Sequence, residues 1–320
     1  MSLDLSNIKG LKDELDEAVR LIVNNPLIEI KASTRKSRSL SNQVEQTESL
    51  LTRCADIADS SNKIEKPTLR ILHHFACSGG TLISKCIAAM PNIYVLSEAH
   101  PLSVNHISGK PKYSPTDITT LARYANVPNA DLLAKRIFTN NILETEAFIS
   151  QGGGELVLRE HSHIDFCLGE SADQISVVED CLKEHFNIKH LITVRNPVDA
   201  YMSLSINGWI QFSPPSFDEY CKRLIEFIER YPIKNIIKYE DFVQNPDKQM
   251  RKVCSLLHIE FDERYRDFFG IFIVTGDSGR KSDDIAMRKR RPIDKPLLNE
   301  IKHSKNFKKV AKMLKYGRDY

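Results

Sequence analysis

Two glycines follow a short apolar stretch and precede an amphipathic one. The run Leu69–Phe75 is rich in apolar residues, and Ser78-Gly79-Gly80-Thr81 comes after it. Glycines let a backbone curl around a phosphate, and a helix that begins there directs N–H groups and a partial positive charge at it. The stretch predicts either an anion site or a plain strand–helix turn. The GK[ST] ending of a nucleotide triphosphatase loop is missing, because no lysine precedes Thr81.

A second group of polar residues follows the apolar run Ile188–Val194. Arg195 stands at the predicted strand end, and Ser203 lies about two turns along the helix that Asn196-Pro197 opens. An arginine can hold a phosphate through two parallel hydrogen bonds, and a serine hydroxyl can add another. The pattern predicts a second phosphate site, with an arginine paired to a nearby carboxylate as the other interpretation.

Predicted strands and helices alternate after Pro67 and position these residues. Apolar runs predict strands at 69–75, 94–97, 155–161, 188–194 and 233–239, and helical spacing covers 81–90, 118–125, 130–149, 175–185, 217–231 and 246–257. Such alternation implies an α/β fold with a mostly parallel β-sheet flanked by helices on both faces. Ligands of such sheets lie outside the carboxyl ends of the strands, where both groups of polar residues fall.

The first 66 residues have a different character. They are polar and poor in aromatic residues, and apolar residues recur at helical spacing over 11–22 and 40–58. We therefore expect a helical N-terminal extension at 1–66, which offers a surface for a homodimer, and an α/β domain at 67–320.

Composition excludes several classes of protein. Hydrophobic residues make up 41% and charged residues 27%, which is ordinary for a globular protein. No run approaches the roughly 18 apolar residues of a transmembrane segment, and the acidic N-terminus is unlike a signal peptide. The seven cysteines form no CxxC pair. We expect reduced thiols, no transmembrane segment and a cytoplasmic location.

Positive charge is concentrated in a basic C-terminal tail. Residues 287–320 contain twelve Lys or Arg and three Asp or Glu, a net charge of +9 against −6 for the preceding 286 residues. Such a tail suits nucleic acid, a membrane or one anionic ligand. No aromatic residues interleave with the run Met287–Arg291, as they would on a platform for single strands. We therefore expect no nucleic acid partner.

His161 and His163 form a His-x-His pair at the end of a predicted strand. No third ligand is suitably spaced, so we predict no metal. Either imidazole suits proton acceptance near neutral pH. His73 and His74, inside the first predicted strand, are expected in the core. Glu98 and His100 fit either an acceptor pocket or a solvated loop.

The motif Arg195-Asn-Pro-x-Asp-Ala-x-x-Ser203, downstream of the glycine turn, resembles the sulfotransferase family, whose sulfuryl donor is 3′-phosphoadenosine 5′-phosphosulfate (PAPS). Three further segments follow the order of the family, and a fourth is a looser match. They are 77–81, similar to its 5′-phosphosulfate loop, 158–161, similar to its histidine strand end, 237–242, similar to its Tyr-Glu-Asp strand, and, more loosely, 275–281. The likeness covers about 69–291 and implies a P-loop-type sheet.

The resemblance also implies roles for the matching positions. Arg195 and Ser203 would hold the 3′-phosphate, with Arg280 and Lys281 as further contacts. Ser78, Gly79, Gly80 and Thr81 would hold the 5′-phosphate and sulfuryl group, and Tyr239 would lie near the adenine. His161 would be the general base, and Arg159 would neutralise charge. The acceptor would be a hydroxyl or amine of a small molecule, lipid or glycan, and no metal would be needed.

One position departs from the family pattern. Cys77 stands where much of the family has a lysine or arginine that stabilises the leaving group. Loss of a positive charge directed at the leaving group lowers the rate of transfer. Either Arg159 or another basic residue compensates, or the protein binds nucleotide without efficient transfer. A phosphotransferase of the P-loop kinase group is a third alternative.

Overall fold

The computed structural model describes residues 66–103, 116–171, 175–276, 284–287 and 289–317. All of them belong to the second of the two units into which the chain divides, Glu65–Tyr320. Apart from Lys66, the predicted helical extension lies outside the described residues. Arg280 and Lys281 lie outside them as well.

Seven strands are present in the described residues: β1 (Thr68–His74), β2 (Ile93–Ala99), β3 (Glu155–Glu160), β4 (Leu168–Gly169), β5 (Asn187–Val194), β6 (Gln211–Phe212) and β7 (Ile236–Lys238). The main sheet has the order β2-β3-β1-β5-β7, and all its pairs are parallel. The predicted mostly parallel α/β sheet is confirmed. The strand order changes direction beside β1, and ligands of open α/β sheets usually bind at the carboxyl ends of the strands at such a point.

Twelve α-helices surround or connect these strands in the described residues: α1 (Gly80–Ala88), α2 (Ile118–Tyr124), α3 (Ala130–Gln151), α4 (His163–Phe166), α5 (Val177–Leu182), α6 (Pro197–Ile206), α7 (Phe217–Ile228), α8 (Tyr239–Gln244), α9 (Pro246–Leu257), α10 (Tyr265–Phe268), α11 (Lys295–His303) and α12 (Lys305–Leu314). Most predicted elements appear within a few residues of their expected bounds. The last strand is shorter than predicted, because Ile233–Asn235 is a 3-10 turn and Tyr239 begins α8.

The two faces of the sheet have separate apolar cores. Leu72 and Val157 pack with α1, α8 and α9 on one face, and Leu69 and Leu158 pack with α3 and α5 on the other. Successive side chains of a strand point to opposite faces. His74 and Arg159 therefore lie on the α1 face, and their neighbours His73 and Glu160 lie on the α5 face.

The basic tail is part of the fold. In α12, Phe307, Val310, Ala311 and Leu314 are buried and belong to the core that α7 also forms. This spacing gives the helix one apolar face, so its lysines occupy the solvent side. The lysines of α12 therefore lie on the outer face of a helix that packs against α7.

Candidate functional site

The glycine turn after β1 leaves three backbone donors for a ligand. Gly79 caps α1 with φ of +85°, and within the described part of the chain no acceptor takes the N–H groups of Gly79, Gly80 or Thr81. Ser78 differs, because its N–H donates to the Phe75 carbonyl at 3.1 Å and its buried hydroxyl is bonded to Thr193. The backbone donors that the turn could offer to an anion are thus those of its two glycines and its threonine.

Tyr239 supports this turn from below. Its ring is 4% exposed, and a Cβ built on Gly79 would lie only 2.3 Å from Tyr239 Cδ2. The position therefore requires glycine for two reasons, the left-handed backbone and the close approach of the ring. Tyr239 is the first residue of α8, the helix that follows β7. The position of this helix therefore determines where the ring supports the turn.

Arg195 projects from the end of β5 beside the same ring. Its guanidinium carbon lies 5.0 Å from the centre of the Tyr239 ring, a cation–π contact. Its Nε is buried and has no hydrogen-bond partner, and no carboxylate forms an ion pair with it, among the residues described. The interpretation of Arg195 as half of a carboxylate pair therefore has no support in this structure. A buried donor without a partner is costly unless a ligand satisfies it.

The segment after Arg195 is fixed by its own contacts. Asn196 caps α6 by accepting the N–H of Val198 at 3.0 Å. The Asn196 N–H donates to Glu240 Oε1 at 2.9 Å, and the other oxygen of Glu240 accepts the Tyr316 hydroxyl at 2.8 Å. One partly buried carboxylate thus joins the β5–α6 turn, α8 and the end of α12.

Cys77 and Ser203 lie close to each other and to Arg195. Burial raises the pKa of the Cys77 thiol, while Ser203, Asn207 and the charges of Arg195 and Arg291 act in the opposite direction. The thiol is therefore neutral near pH 7. The structure brings the turn, the start of the Arg195 segment and α6 together around this side chain.

Arg159, at the end of β3, is held in one orientation by four contacts. Its Nη2 is 2.7 Å from Glu98 Oε1 and 3.2 Å from His74 Nε2, and its Nη1 donates to Ser97 Oγ at 3.0 Å and to the Thr275 carbonyl at 3.2 Å. A Cβ on Gly80 would lie 3.1 Å from Arg159 Nε. The guanidinium thus lies beside the first turn of α1.

Glu98 reaches the site because β2 is irregular there. The pairing of β2 with β3 shifts between Ser97 and Ala99, and Glu98 has a φ of +59°. Burial raises the pKa of its carboxyl group, and Arg159 lowers it. Of the two interpretations of this residue, the structure supports a place in the site. The sequence alone does not decide between the acceptor pocket and the solvated loop, because a β-bulge changes which side chains face inward.

His161 follows β3 and faces Glu98. Its Nδ1 is 3.0 Å from Ser103 Oγ, and its Nε2 is 3.6 Å from Glu98 Oε2. Burial, together with positive charge nearby, lowers the pKa of His161 to about 4. The imidazole is therefore neutral, and able to accept a proton, throughout the physiological pH range.

The other histidines near β3 have different surroundings. His163 contacts Gln211 at 3.1 Å on the surface, whereas His100 is buried, with Nε2 2.9 Å from Asp165 and Nδ1 accepting the Leu102 N–H. The polar partners of these two histidines thus differ from Ser103 and Glu98, the partners of His161.

Comparisons with known proteins give matches to solved structures only. No family model and no curated protein matches the chain. The sulfotransferase domain of the Synechococcus PCC 7002 olefin synthase matches with a TM-score of 0.49 and 16% identity, over 80% of this chain and 97% of that one. A mouse sulfotransferase complexed with PAP matches with a TM-score of 0.36 and 13% identity, over 77% of this chain and 82% of that one. A sulfotransferase from Mycobacterium tuberculosis matches with a TM-score of 0.34 and 11% identity, over 69% of this chain and 76% of that one.

All three of these proteins are sulfotransferases, the family that the sequence motifs resemble. Separately, none of the described helices has the length and apolar character that a bilayer crossing requires.

Proposed function

We propose that the protein is a sulfotransferase that moves a sulfuryl group from PAPS to a hydroxyl or amine. The observation that supports this most is the convergence at α1. Three N–H groups that have no acceptor among the described residues lie at its start. Arg195 contacts the Tyr239 ring that lies against Gly79, and the Arg159 guanidinium lies beside Gly80. Such an arrangement suits a ligand with anionic groups at two separated points, which is the chemistry of a 3′-phosphate and a 5′-phosphosulfate.

Each residue would have a defined part in binding the donor. Arg195, with its unsatisfied buried Nε, and the Ser203 hydroxyl would hold the 3′-phosphate. The N–H groups of Gly79, Gly80 and Thr81 would hold the 5′-phosphate. Tyr239 would act from beneath by fixing the turn and Arg195. Ser78 would contribute to the shape of the turn, since its polar groups are engaged elsewhere.

Transfer would form a bond between sulfur and the acceptor oxygen or nitrogen while the bond from sulfur to the phosphate oxygen breaks. The acceptor proton would pass to His161 Nε2, provided that Nδ1–H donates to Ser103. Glu98 would stabilise the imidazolium that results, at 3.6 Å. Arg159 and the turn would neutralise charge on the departing phosphate, the part that a lysine at position 77 plays in much of the family.

The experiment begins with calorimetric titration of adenosine 3′,5′-bisphosphate, beside 5′-AMP and magnesium ATP. We expect binding of the bisphosphate, weakened at least about tenfold, or ~1.4 kcal/mol, by Arg195→Ala. Preference for magnesium ATP would favour the phosphotransferase alternative. If none of the three ligands binds, the proposal is refuted.

Turnover requires a second measurement, in which labelled PAPS is offered with a panel of small alcohols, amines, lipids and glycans. His161→Ala should abolish transfer to the acceptor that responds, and the matched control His163→Ala should retain it. Equal rates in the wild type and His161→Ala would contradict the role of the base.

A nucleotide-binding protein without efficient catalysis is the second candidate. It is favoured by one observation, the ion pair of Arg159 with Glu98 at 2.7 Å, which offsets the positive charge that would replace the missing lysine. Tight binding of the bisphosphate without turnover across the whole acceptor panel would favour this candidate.

A further inference from the structure

A second cluster of polar side chains lies on the α5 face of the sheet, away from the proposed donor site. It consists of His73 on β1, His190 on β5 and Glu179 on α5, and the ligand atoms of the three lie within 4.8 Å of one another. From these residues we propose a binding site for a divalent transition metal ion of the Zn²⁺ class. The sequence predicted no metal and placed His73 in the core.

The two imidazoles already face each other. His73 Nε2 lies 3.0 Å from His190 Nδ1, and the rings are stacked with an angle of 25° between their planes. Two nitrogens bound to one tetrahedral Zn²⁺ at 2.0–2.1 Å lie roughly 3.3 Å apart. The ion would take the place of the proton between these two nitrogens. That proton would move to Nε2 of the partly exposed His190, and the rings would separate by a few tenths of an ångström.

Glu160 determines which nitrogen of His73 is available. Its carboxylate contacts His73 Nδ1 and also accepts the hydroxyl hydrogen of Ser176. A carboxylate in that position keeps the proton on Nδ1, so the lone pair is on Nε2, which is directed at His190. A carboxylate that holds the distal nitrogen is the usual partner of a metal-bound histidine.

The third ligand and the route of entry come from the surface. His73 is fully buried, but the side chains of His190 and Glu179 are 23% and 31% exposed. Glu179 Oε1 is 4.0 Å from His190 Nε2 and can turn toward the ion. Two imidazoles and one carboxylate suit Zn²⁺ and similar ions, and the exposed side leaves room for a water as fourth ligand.

The ion would join elements that meet beneath the proposed transfer site. It would link β1 to β5 and α5, and it would fix Glu160, which stands between Arg159 and His161 in the chain. The site needs no nucleotide, so its test is independent of the proposed function.

The test uses the full-length protein, stripped of metal with a chelator and titrated with Zn²⁺ in a calorimeter and with Co²⁺ by visible absorption. We expect one ion per chain. His190→Ala should weaken binding of Zn²⁺ by at least about a hundredfold, and Glu160→Gln by about 10–100-fold through loss of the orienting contact. The double variant His161→Ala, His163→Ala is the control and should bind like the wild type.

Glu179→Gln is a second variant for the case that His190→Ala fails to fold. The Glu179 side chain is partly exposed, so this substitution leaves the core intact. It too should weaken Zn²⁺ binding and diminish the Co²⁺ bands, with an unchanged circular dichroism spectrum. Failure of the wild type to bind either ion would overturn the proposal. Wild-type affinity in both His190→Ala and Glu179→Gln, or loss of binding in the His161/His163 control alone, would also overturn it.

Discussion

Substitution of Gly79 by alanine tests whether Tyr239 supports the turn as described. The residue has a φ of +85°, where an L side chain costs about 1–2 kcal/mol. Its new Cβ would lie 2.3 Å from a ring carbon of the buried Tyr239. Forcing extra volume into a packed site costs a further 1–3 kcal/mol, approximately. We therefore expect Gly79→Ala to lower the free energy of unfolding by about 2–5 kcal/mol.

Gly153 provides the matched control. Its φ is +76°, yet nothing lies within 4 Å of an added Cβ. Gly153→Ala should therefore cost only the backbone strain, about 1–2 kcal/mol. The difference between the two variants in urea denaturation isolates the contact with the ring. In calorimetry, only Gly79→Ala should weaken binding of adenosine 3′,5′-bisphosphate, because displacement of Tyr239 also displaces Arg195.

A double-mutant cycle makes the test stricter. In a Tyr239→Ala background, Gly79→Ala should cost no more than Gly153→Ala, since the obstructing ring is gone. If Gly79→Ala proves as mild as Gly153→Ala in the wild type and binds the bisphosphate normally, the reasoning about Tyr239 is refuted.

Further outcomes are expected at three positions, His161, Gly80 and Glu240. Titration of His161 by NMR in the free protein should give a midpoint at about 4, whereas a midpoint near 6.5 would contradict the burial described. Because the folded pKa is the lower one, His161 by itself should lower stability by about 3 kcal/mol as pH drops from 6.5 to 4, and His161→Gln should remove this part of the loss. Gly80→Ala, whose Cβ would lie 2.9 Å from His74 Cγ, should lower the transfer rate by displacing Arg159, and an unchanged rate would count against Arg159. Glu240→Ala should lower the free energy of unfolding in urea by about 1–3 kcal/mol and weaken bisphosphate binding, because the Asn196 N–H loses its acceptor. Tyr316→Phe, which removes only the second hydrogen bond of Glu240, should lower the free energy of unfolding by about 1 kcal/mol.

The sheet and the ends of its strands could be predicted because the signals are local. Apolar runs define β1, β3 and β5 within a residue or so, and the parallel order then places the glycine turn and Arg195 at one edge. The helix of 246–257 has its predicted bounds, with Pro246 at its first position. Elements of this kind depend on periodicity, which a sequence carries directly.

The features that could not be predicted depend on distant contacts or on local irregularity. His73 and His190 are 117 residues apart, and only the pairing of β1 with β5 brings them together. Glu98 enters the site through a bulge, and the engagement of Ser78 with Thr193 requires the register of two strands.

The helices of the tail are a different case, because their signal was present. Phe307, Val310, Ala311 and Leu314 recur at helical spacing, but the many lysines between them mask the apolar face in the sequence.

The bridge made by Glu240 has a consequence for the order in which the protein is completed during synthesis. Glu240 follows Asn196 by 44 residues, and Tyr316 follows Glu240 by another 76. Each contact can therefore form only after its later partner has been synthesised. A nascent chain that has already paired β1 with β5 would still lack the contact that fixes the turn after Arg195. Contacts of such long separation form slowly and leave an incomplete intermediate. The emerging chain would therefore pair β1 with β5 before it fixes the turn after Arg195.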